Sequence, residues 1–376
     1  MEPEAKEKLA RREPRGGTAA IAGASVTMRH VALRAGVSTA TVSRVFADPG
    51  NGGLVSSRTR SRVLRAADEL GYRPHRAARL LARQRSELVG VLVPAFGTAF
   101  VPEVMDALAV AVHEVGYETM FACYGSNGRG LSRALDYLLE MRVEGIVFYP
   151  QTSLPIDDAS VITALQQVPY VLVDLAIDGL RAPLVTSDDA NGIRQAVDYL
   201  VSLGHERIAH LAGVSWHSTG RIRLLAYREA MAEHGLHPSD ESVAHYDFTY
   251  GDGVVAAHRL LQVKPMPTAV IAADDFGAAA LLQVSRQMGL RVPGDMSVVG
   301  FSDILLCHTW YPPLTTVRQP KEDLGREAFR LLRQLIEGEH LDVGDAVRLL
   351  PTELIVRESC GPVGVKAGRP RKTRRS

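Results

Sequence analysis

Residues 27–85 read TMRHVALRAGVSTATVSRVFADPGNGGLVSSRTRSRVLRAADELGYRPHRAARLLARQR. Thr27 can cap a first helix whose inward residues are Val31, Ala32 and Ala35. Gly36 supplies the left-handed residue that a tight turn between helices requires. Ser38 caps a second helix, which turns Val42 and Val45 inward and begins with the small or polar Thr39, Ala40 and Thr41. Arg44 falls on its outer face. Two short helices joined by a glycine turn make a helix-turn-helix, and the second helix is shaped to enter a DNA major groove by its N-terminal end. After a loop, Ser56 caps a third helix with Val63, Leu64, Ala67 and Leu70 expected inside, and Gly71 ends it. Its early turns carry Arg58, Arg60, Arg62 and Arg65, cations suited to phosphates.

Charge agrees with this reading. Residues 27–85 hold twelve Arg against Asp48, Asp68 and Glu69, a net charge of +9. Farther along, Tyr72-Arg73-Pro74-His75 interrupts the pattern, and Arg76–Arg83 has room for one short helix. So short a helix does not hold in water alone, and nothing nearby buries Leu80 and Leu81. It is expected to fold on a partner, two copies from a dimer wedging Leu into a minor groove. An ordinary interdomain linker is the alternative.

The whole chain has 376 residues and a formal net charge of +1, which hides an asymmetry. Residues 1–85 are net +10, 362–376 are net +6, and 86–361 are net −15. A basic head on an acidic body implies that the head alone meets nucleic acid. No apolar run reaches the roughly 18 residues of a membrane span. The N-terminus has no apolar core of an export signal. Cys123, Cys307 and Cys360 are odd in number and far apart, as expected of reduced thiols in the cytoplasm.

From residue 88 the pattern alternates strands with helices. Expected strands are 88–93, 117–123, 145–149, 170–174, 183–187, 207–212, 243–247, 269–273, 297–301 and 348–356. Expected helices are 101–115, 129–142, 157–167, 189–203, 221–234, 251–262, 276–288 and 320–337. Hydrophobic strands in βα units predict doubly wound parallel sheets, and this length predicts two lobes. The fold class is therefore α/β: an N-terminal all-α DNA-binding domain plus a two-lobed, doubly wound effector domain with its ligand cleft between the lobes. The expected divisions are a disordered tail (1–26), the helix-turn-helix domain (27–73), a hinge helix or linker (74–86), the two-lobed effector-binding and dimerisation domain (87–360) and a disordered basic tail (361–376).

The chain resembles the LacI/GalR family of bacterial transcription regulators over roughly residues 27–360. The resemblance rests on Val31-Ala32, Ala35-Gly36-Val37-Ser38, Thr41-Val42-Ser43-Arg44-Val45, Leu70-Gly71-Tyr72-Arg73-Pro74, Gly204-His205, Val298-Val299-Gly300-Phe301 and Pro313–Pro320. It implies a repressor that is a homodimer on a near-palindromic double-stranded operator, with a periplasmic-binding-protein-like effector domain, no cofactor and no membrane association. The implied DNA contacts are Thr27, Ser38, Thr39, Ala40, Thr41, Ser43, Arg44, Arg58, Tyr72, Arg76, Ala78 and Leu81. Arg44 is the natural donor to guanine. The resemblance also implies a small-molecule effector, sugar-like or nucleoside-like, held by Phe100, Asp174, Arg223, Phe248, Asp274 and Ser302. Two positions depart from the family: Asp274 stands where many relatives have Asn, and Ser302 where they usually have Asp. His75 replaces the usual Asn at the hinge start, and the loop 48–55 is about three residues longer than usual. Trp310, Tyr311 and helix 101–115 are the expected dimer contacts.

Catalysis finds no support. His205 and His210 flank a strand without a paired nucleophile motif. Gly125–Gly130 lacks the Lys-Ser/Thr ending of a phosphate loop. Asp188-Asp189 and Asp274-Asp275 are adjacent acids, which alternate between inside and outside, so no metal is expected. Gly368-Arg369-Pro370-Arg371-Lys372 resembles an AT-hook core, with a disordered basic tail as the plainer reading. A transport-system solute-binding protein would share the two lobes, but it would need an export signal and no residues 27–85. A sugar-modifying enzyme would need an acid/base pair in the cleft.

Overall fold

The computed structural model describes residues 26–47, 55–72, 85–95, 100–125, 128–150, 159–177, 180, 182–339 and 346–364. The hinge positions Arg76, Ala78 and Leu81, the loop 48–54 and the tails 1–25 and 365–376 lie outside these residues. The chain divides into two units, Met1–Arg85 and Ser86–Ser376.

In the first unit, three helices form where the caps stand: α1 (Met28–Ala35), α2 (Thr39–Ala47) and α3 (Ser57–Leu70). The Thr27 amide donates to His30 Nδ1 at 3.2 Å. Ser38 Oγ accepts from the Thr41 amide at 3.1 Å, and Ser56 Oγ from Thr59 at 3.3 Å. Gly36 holds φ 62°, so the Val37 amide reaches back to Ala32 O at 3.0 Å and closes α1. Val31, Ala32, Ala35, Val42, Val45, Val63, Ala66, Ala67 and Tyr72 make the core. Arg34 and Glu69 tie α1 to α3 at 2.6 Å. One expectation is corrected. Leu64 is 43% exposed, and Ala66 is buried in its place. Val63, Ala66, Ala67 and Leu70 are spaced i, i+3, i+4, i+7, and Leu64 falls off that stripe.

The second unit has two lobes. The first sheet joins β1 (Leu88–Val93), β2 (Glu118–Cys123), β3 (Gly145–Phe148), β4 (Tyr170–Val173), β5 (Leu184–Ser187) and β11 (Val347–Leu350) in the order β11-β5-β4-β3-β1-β2, all parallel. Helices α4 (Phe100–Glu114) and α11 (Lys321–Ile336) cover one face, and α5 (Leu131–Glu140) and α6 (Ala159–Leu165) cover the other. The second sheet joins β6 (Ile208–Gly213), β7 (Val243–Tyr246), β8 (Ala269–Ala272), β9 (Ser297–Ser302), β10 (Thr315–Arg318) and β12 (Glu353–Ile355) in the order β12-β10-β9-β8-β6-β7. Only its β10–β12 pair is antiparallel. Helices α9 (Tyr250–Leu261) and α10 (Asp275–Gln287) pack on one face, and α7 (Asp189–Ser202) and α8 (Ser218–Glu233) on the other.

Both sheets reverse their strand order beside their first strand, between β1 and β3 and between β6 and β8. Crevices for ligands open at the carboxyl ends of strands at such points. The chain passes between lobes at Asp188, at Gln319-Pro320 and at Pro351-Thr352. The last crossing corrects the single strand expected over 348–356. Pro351 has no amide for a ladder, and the run breaks into β11 and β12 in different sheets. The crossings are stitched together: the Asp188 amide donates to Leu350 O at 2.7 Å, and Thr352 Oγ1 to Asp188 O at 2.9 Å. Strand β10 was not anticipated, and α8 starts at Ser218 rather than 221.

Candidate functional site

Each unit carries one candidate site. On the helical unit, Thr39, Ala40, Ser43 and Arg44 are exposed on α2, beside exposed Thr27 and Ser38. Thr41 is half-buried, its hydroxyl 2.9 Å from Ser38 Oγ, so it supports the turn as well as facing outward. Arg58, Arg62 and Arg65 are exposed on α3. Tyr72 is buried, and its ring packs on Phe46 at 5.7 Å, which makes it part of the core.

In the second unit, Phe100, Asp174, Arg223, Phe248, Asp274 and Ser302 all line one cavity of about 130 Å³. They come from six separate places in the chain. Phe100 opens α4 after β1, Asp174 follows β4, Phe248 follows β7, Asp274 follows β8, and Ser302 ends β9. Arg223 projects from α8. Asp174, Phe248 and Ser302 hold φ of 68°, 65° and 124°, a region that non-glycine residues rarely adopt. Backbone strain of this kind clusters at ligand sites in folded proteins. Gly213, at the end of β6, leaves room for Phe248: an added Cβ would stand 2.2 Å from its ring.

Arg223 is the floor. Its Nε donates to Asp189 Oδ2 at 2.8 Å, its Nη1 donates to Ala273 O, and its guanidinium lies 3.7 Å over the Phe301 ring. Burial opposes its charge, but Asp189 outweighs that and holds its pKa above the ordinary arginine value. Asp174 accepts from Tyr149 Oη at 3.2 Å and from Gln319 Nε2 at 3.3 Å. Burial raises its pKa to about 7, with the Asp189 charge adding and Arg223 opposing. Asp274 accepts from Tyr246 Oη at 2.5 Å and from the Gly277 amide at 2.7 Å, and burial raises it to about 6. His217 packs tilted against Phe248, ring centres 4.6 Å apart, and burial, with Arg223 and Arg221 nearby, lowers its pKa to about 3. Its ring is therefore neutral.

Several lining residues escaped the sequence reading: Tyr149, His217, Thr219, Asp275, Phe276, Ile304 and Gln319. Most follow a strand's carboxyl end, the signal that could have found them. Gln319 sits at a crossing and touches both lobes, accepting from Ser302 Oγ at 2.8 Å and donating to Ser187 Oγ at 2.7 Å. The neighbouring carboxylate, Asp303, faces elsewhere and binds Arg318 at 2.8 Å and Arg357 at 2.6 Å. Ser302 thus presents a hydroxyl where a carboxylate was expected of the family. Trp310 packs on the second lobe's core, whereas Tyr311 is 94% exposed. Cys123, Cys307 and Cys360 are free thiols. Among the described residues, no group of three or more His, Cys, Asp or Glu is placed to hold a metal, and no helix is long and apolar enough to cross a membrane.

Comparison with known proteins joins the two sites. The family model for bacterial regulatory proteins of the lacI family matches residues 27–75, and that for the periplasmic binding protein-like domain matches 197–360. The chain is 34% identical over 335 residues to the transcriptional repressor CytR of Escherichia coli K12, covering 89% of this chain and 96% of that protein. It belongs to the lacI family of bacterial transcriptional regulators. It is also 38% identical over 347 residues to the transcriptional regulator CelR of Thermobifida fusca, covering 89% and 98%. Among solved structures, the lac repressor dimer bound to operator and the anti-inducer ONPF matches with a TM-score of 0.79 at 29% identity, covering 90% and 100%. A CelR–cellobiose complex matches with 0.67 at 36%, covering 89% and 99%. As a lacI-family member, the chain is a DNA-binding transcriptional regulator and not an enzyme.

Proposed function

We propose that this regulator is a cytoplasmic repressor that binds a near-palindromic operator as a homodimer, under the control of a sugar-like or nucleoside-like effector. In this reading Thr39, Ala40 and Arg44 meet base edges, while Thr27, Ser38, Thr41, Ser43 and Arg58 position the unit on phosphates and Tyr72 supports them from the core. The effector occupies the cleft lined by Phe100, Asp174, Arg223, Phe248, Asp274 and Ser302. One observation carries the reading: six residues scattered from 100 to 302 converge on one cavity, at the strand ends where such folds bind ligands. Relatives whose structures were solved with operator and ONPF, or with cellobiose, support it. Effector binding acts by favouring one arrangement of the lobes over another.

Selection of bound duplexes from a random pool at physiological salt tests the DNA half. The expected product is a two-fold symmetric site. Recovery of no preferred sequence, with or without candidate effectors, overturns it. Arg44→Ala should then reduce discrimination at one base pair per half-site by about 1–3 kcal/mol, read by competition binding. An unchanged base preference removes Arg44 from the readout.

A further inference from the structure

Two neighbouring residues beside the cleft carry backbone strain, and one buried lysine holds them both. Ser302 ends β9 with φ 124°, and Asp303 follows with φ 55°, a region that non-glycine residues keep only where their surroundings hold them there. Both carbonyls turn to the same cation: Lys321 Nζ donates to Ser302 O at 2.9 Å and to Asp303 O at 2.7 Å. The Asp303 side chain is fixed separately, by Arg318 at 2.8 Å and Arg357 at 2.6 Å.

Lys321 belongs to the other lobe. It is the first residue of α11, beyond the crossing at Gln319-Pro320, and is 9% exposed. An ammonium has three protons to place, and Glu103 Oε2 on α4 answers the third at 3.1 Å. One turn farther on, Gly325 lets α11 lie directly on α4, where an added Cβ would stand 2.4 Å from Val104 O. Both ends of this bridge lead to the cleft. Ser302 lines the cavity from the second lobe, and Phe100, one turn before Glu103, lines it from α4. Lys321 and Glu103 do not line that cavity; they line a separate one beside the crossing. If the lobes part there, two carbonyls lose their shared donor, the strained turn loses its support and a buried ammonium is left short of acceptors. Such a set of bonds holds or breaks as a unit.

We infer that Lys321 is a positioning residue that fastens the strained turn of the second lobe to α4 of the first, so that a change at one wall of the cleft is passed to the other. This deepens the effector reading above, on which its regulatory meaning rests, by naming a contact that sets the lobe arrangement.

Hydrogen exchange on the full-length protein, read by mass spectrometry without ligand, tests it. Glu103→Ala alters the first lobe alone, yet exchange should rise several-fold in the peptide 299–306 of the second lobe. Lys321→Met should raise it further there. In the Lys321→Met background, Glu103→Ala should add nothing at 299–306, because the route between them is gone. Should Lys321→Met not fold, the cross-lobe effect of Glu103→Ala decides alone. An effect of Glu103→Ala confined to α4 and its first-lobe neighbours overturns the inference. So does a cross-lobe effect that persists without the ammonium, since it runs by another route. Neither outcome touches the effector reading, which ligand and operator binding decide.

Discussion

Asp188-Asp189 and Asp274-Asp275 are the same device used to different ends. Each pair follows a strand, β5 or β8, and opens a helix, α7 or α10. In each, the first acid caps the helix: Asp188 accepts from Asn191 at 3.0 Å and Asp274 from Gly277 at 2.7 Å. In each, the second acid is buried, at 3% and 1% exposure. The difference lies in what answers the buried charge. Asp189 meets a full cation, Arg223, and takes a further bond from Ser187 Oγ at 2.7 Å. Asp275 meets only neutral donors, Thr316 Oγ1 at 2.5 Å and the Ile304 amide at 3.0 Å. Burial accordingly raises the Asp275 pKa, partly opposed by those bonds. The caps differ too, since Asp274 lines the cavity and Asp188 stitches two crossings. One local motif gives a charge-balanced joint in one place and an acidic wall in the other.

Breaking the balanced joint should have the largest effect. Arg223→Met leaves Asp189 buried and uncompensated, which costs about 3–5 kcal/mol. Urea unfolding of the effector-free protein measures it. A loss below about 1 kcal/mol would show that Asp189 does not depend on this arginine.

The acidic wall should show itself in pH dependence. Asp174 and Asp274 have folded pKa values of about 7 and about 6, above the 3.8 of a free carboxyl. The folded state therefore binds more protons than the unfolded state between about pH 4 and pH 7. Stability falls as pH rises through that window, by an amount on the order of a few kcal/mol, and levels off above it. Carrying both Asp174→Asn and Asp274→Asn should flatten the slope. A slope that survives both changes places its origin elsewhere.

Asp275→Asn should cost less than the loss of Arg223. The amide oxygen can keep the Ile304 N–H while its NH₂ group donates to Thr316 Oγ1, whose own proton then loses its acceptor in a buried site. The expected loss is about 1–3 kcal/mol in the same unfolding measurement. A loss matching Arg223→Met would mean that the neutral donors serve Asp275 as fully as a cation serves Asp189.

Local signals and distant ones were not equally legible. The helix-turn-helix is written in one contiguous stretch, because caps, turn glycines and the i, i+3, i+4 stripe act within a few residues of themselves. Among the expected core residues of the three helices, Leu64 is misplaced, an apolar residue one step off the stripe. The alternating pattern conveyed two lobes, but not that the run at 348–356 serves two sheets, because pairing partners are set by tertiary neighbours rather than by apolar content. The four residues of β10 are too few to show a period. The six cleft residues came from resemblance, not from spacing. Tyr149, His217 and Gln319 were missed because their meeting depends on where both sheets reverse. The acid pairs are expected to alternate inward and outward; the second acid of each is buried, but Asp274 lines the cavity and Asp188 is half-buried, so neither first acid faces open solvent. Nothing local says which buried acid receives a cation: Arg223 lies thirty-four residues from Asp189.

The smallest effect belongs to the cap that does not face the cavity. Asp188→Ala removes the acceptor for the Asn191 amide and should cost about 1 kcal/mol, the usual worth of a helix cap. It leaves in place the backbone bonds from Asp188 to Leu350 and Thr352, so the crossings stay tied. Ligand affinity should not change, because that side chain lies outside the cavity lining. Asp274→Asn is the complementary change: an asparagine oxygen keeps the cap, ligand selection shifts, and stability at neutral pH rises because the buried charge is gone. Measuring stability and ligand preference for both variants separates the two jobs. If Asp188→Ala alters ligand preference as much as Asp274→Asn does, the two acids act through lobe geometry, and the division between joint and wall fails.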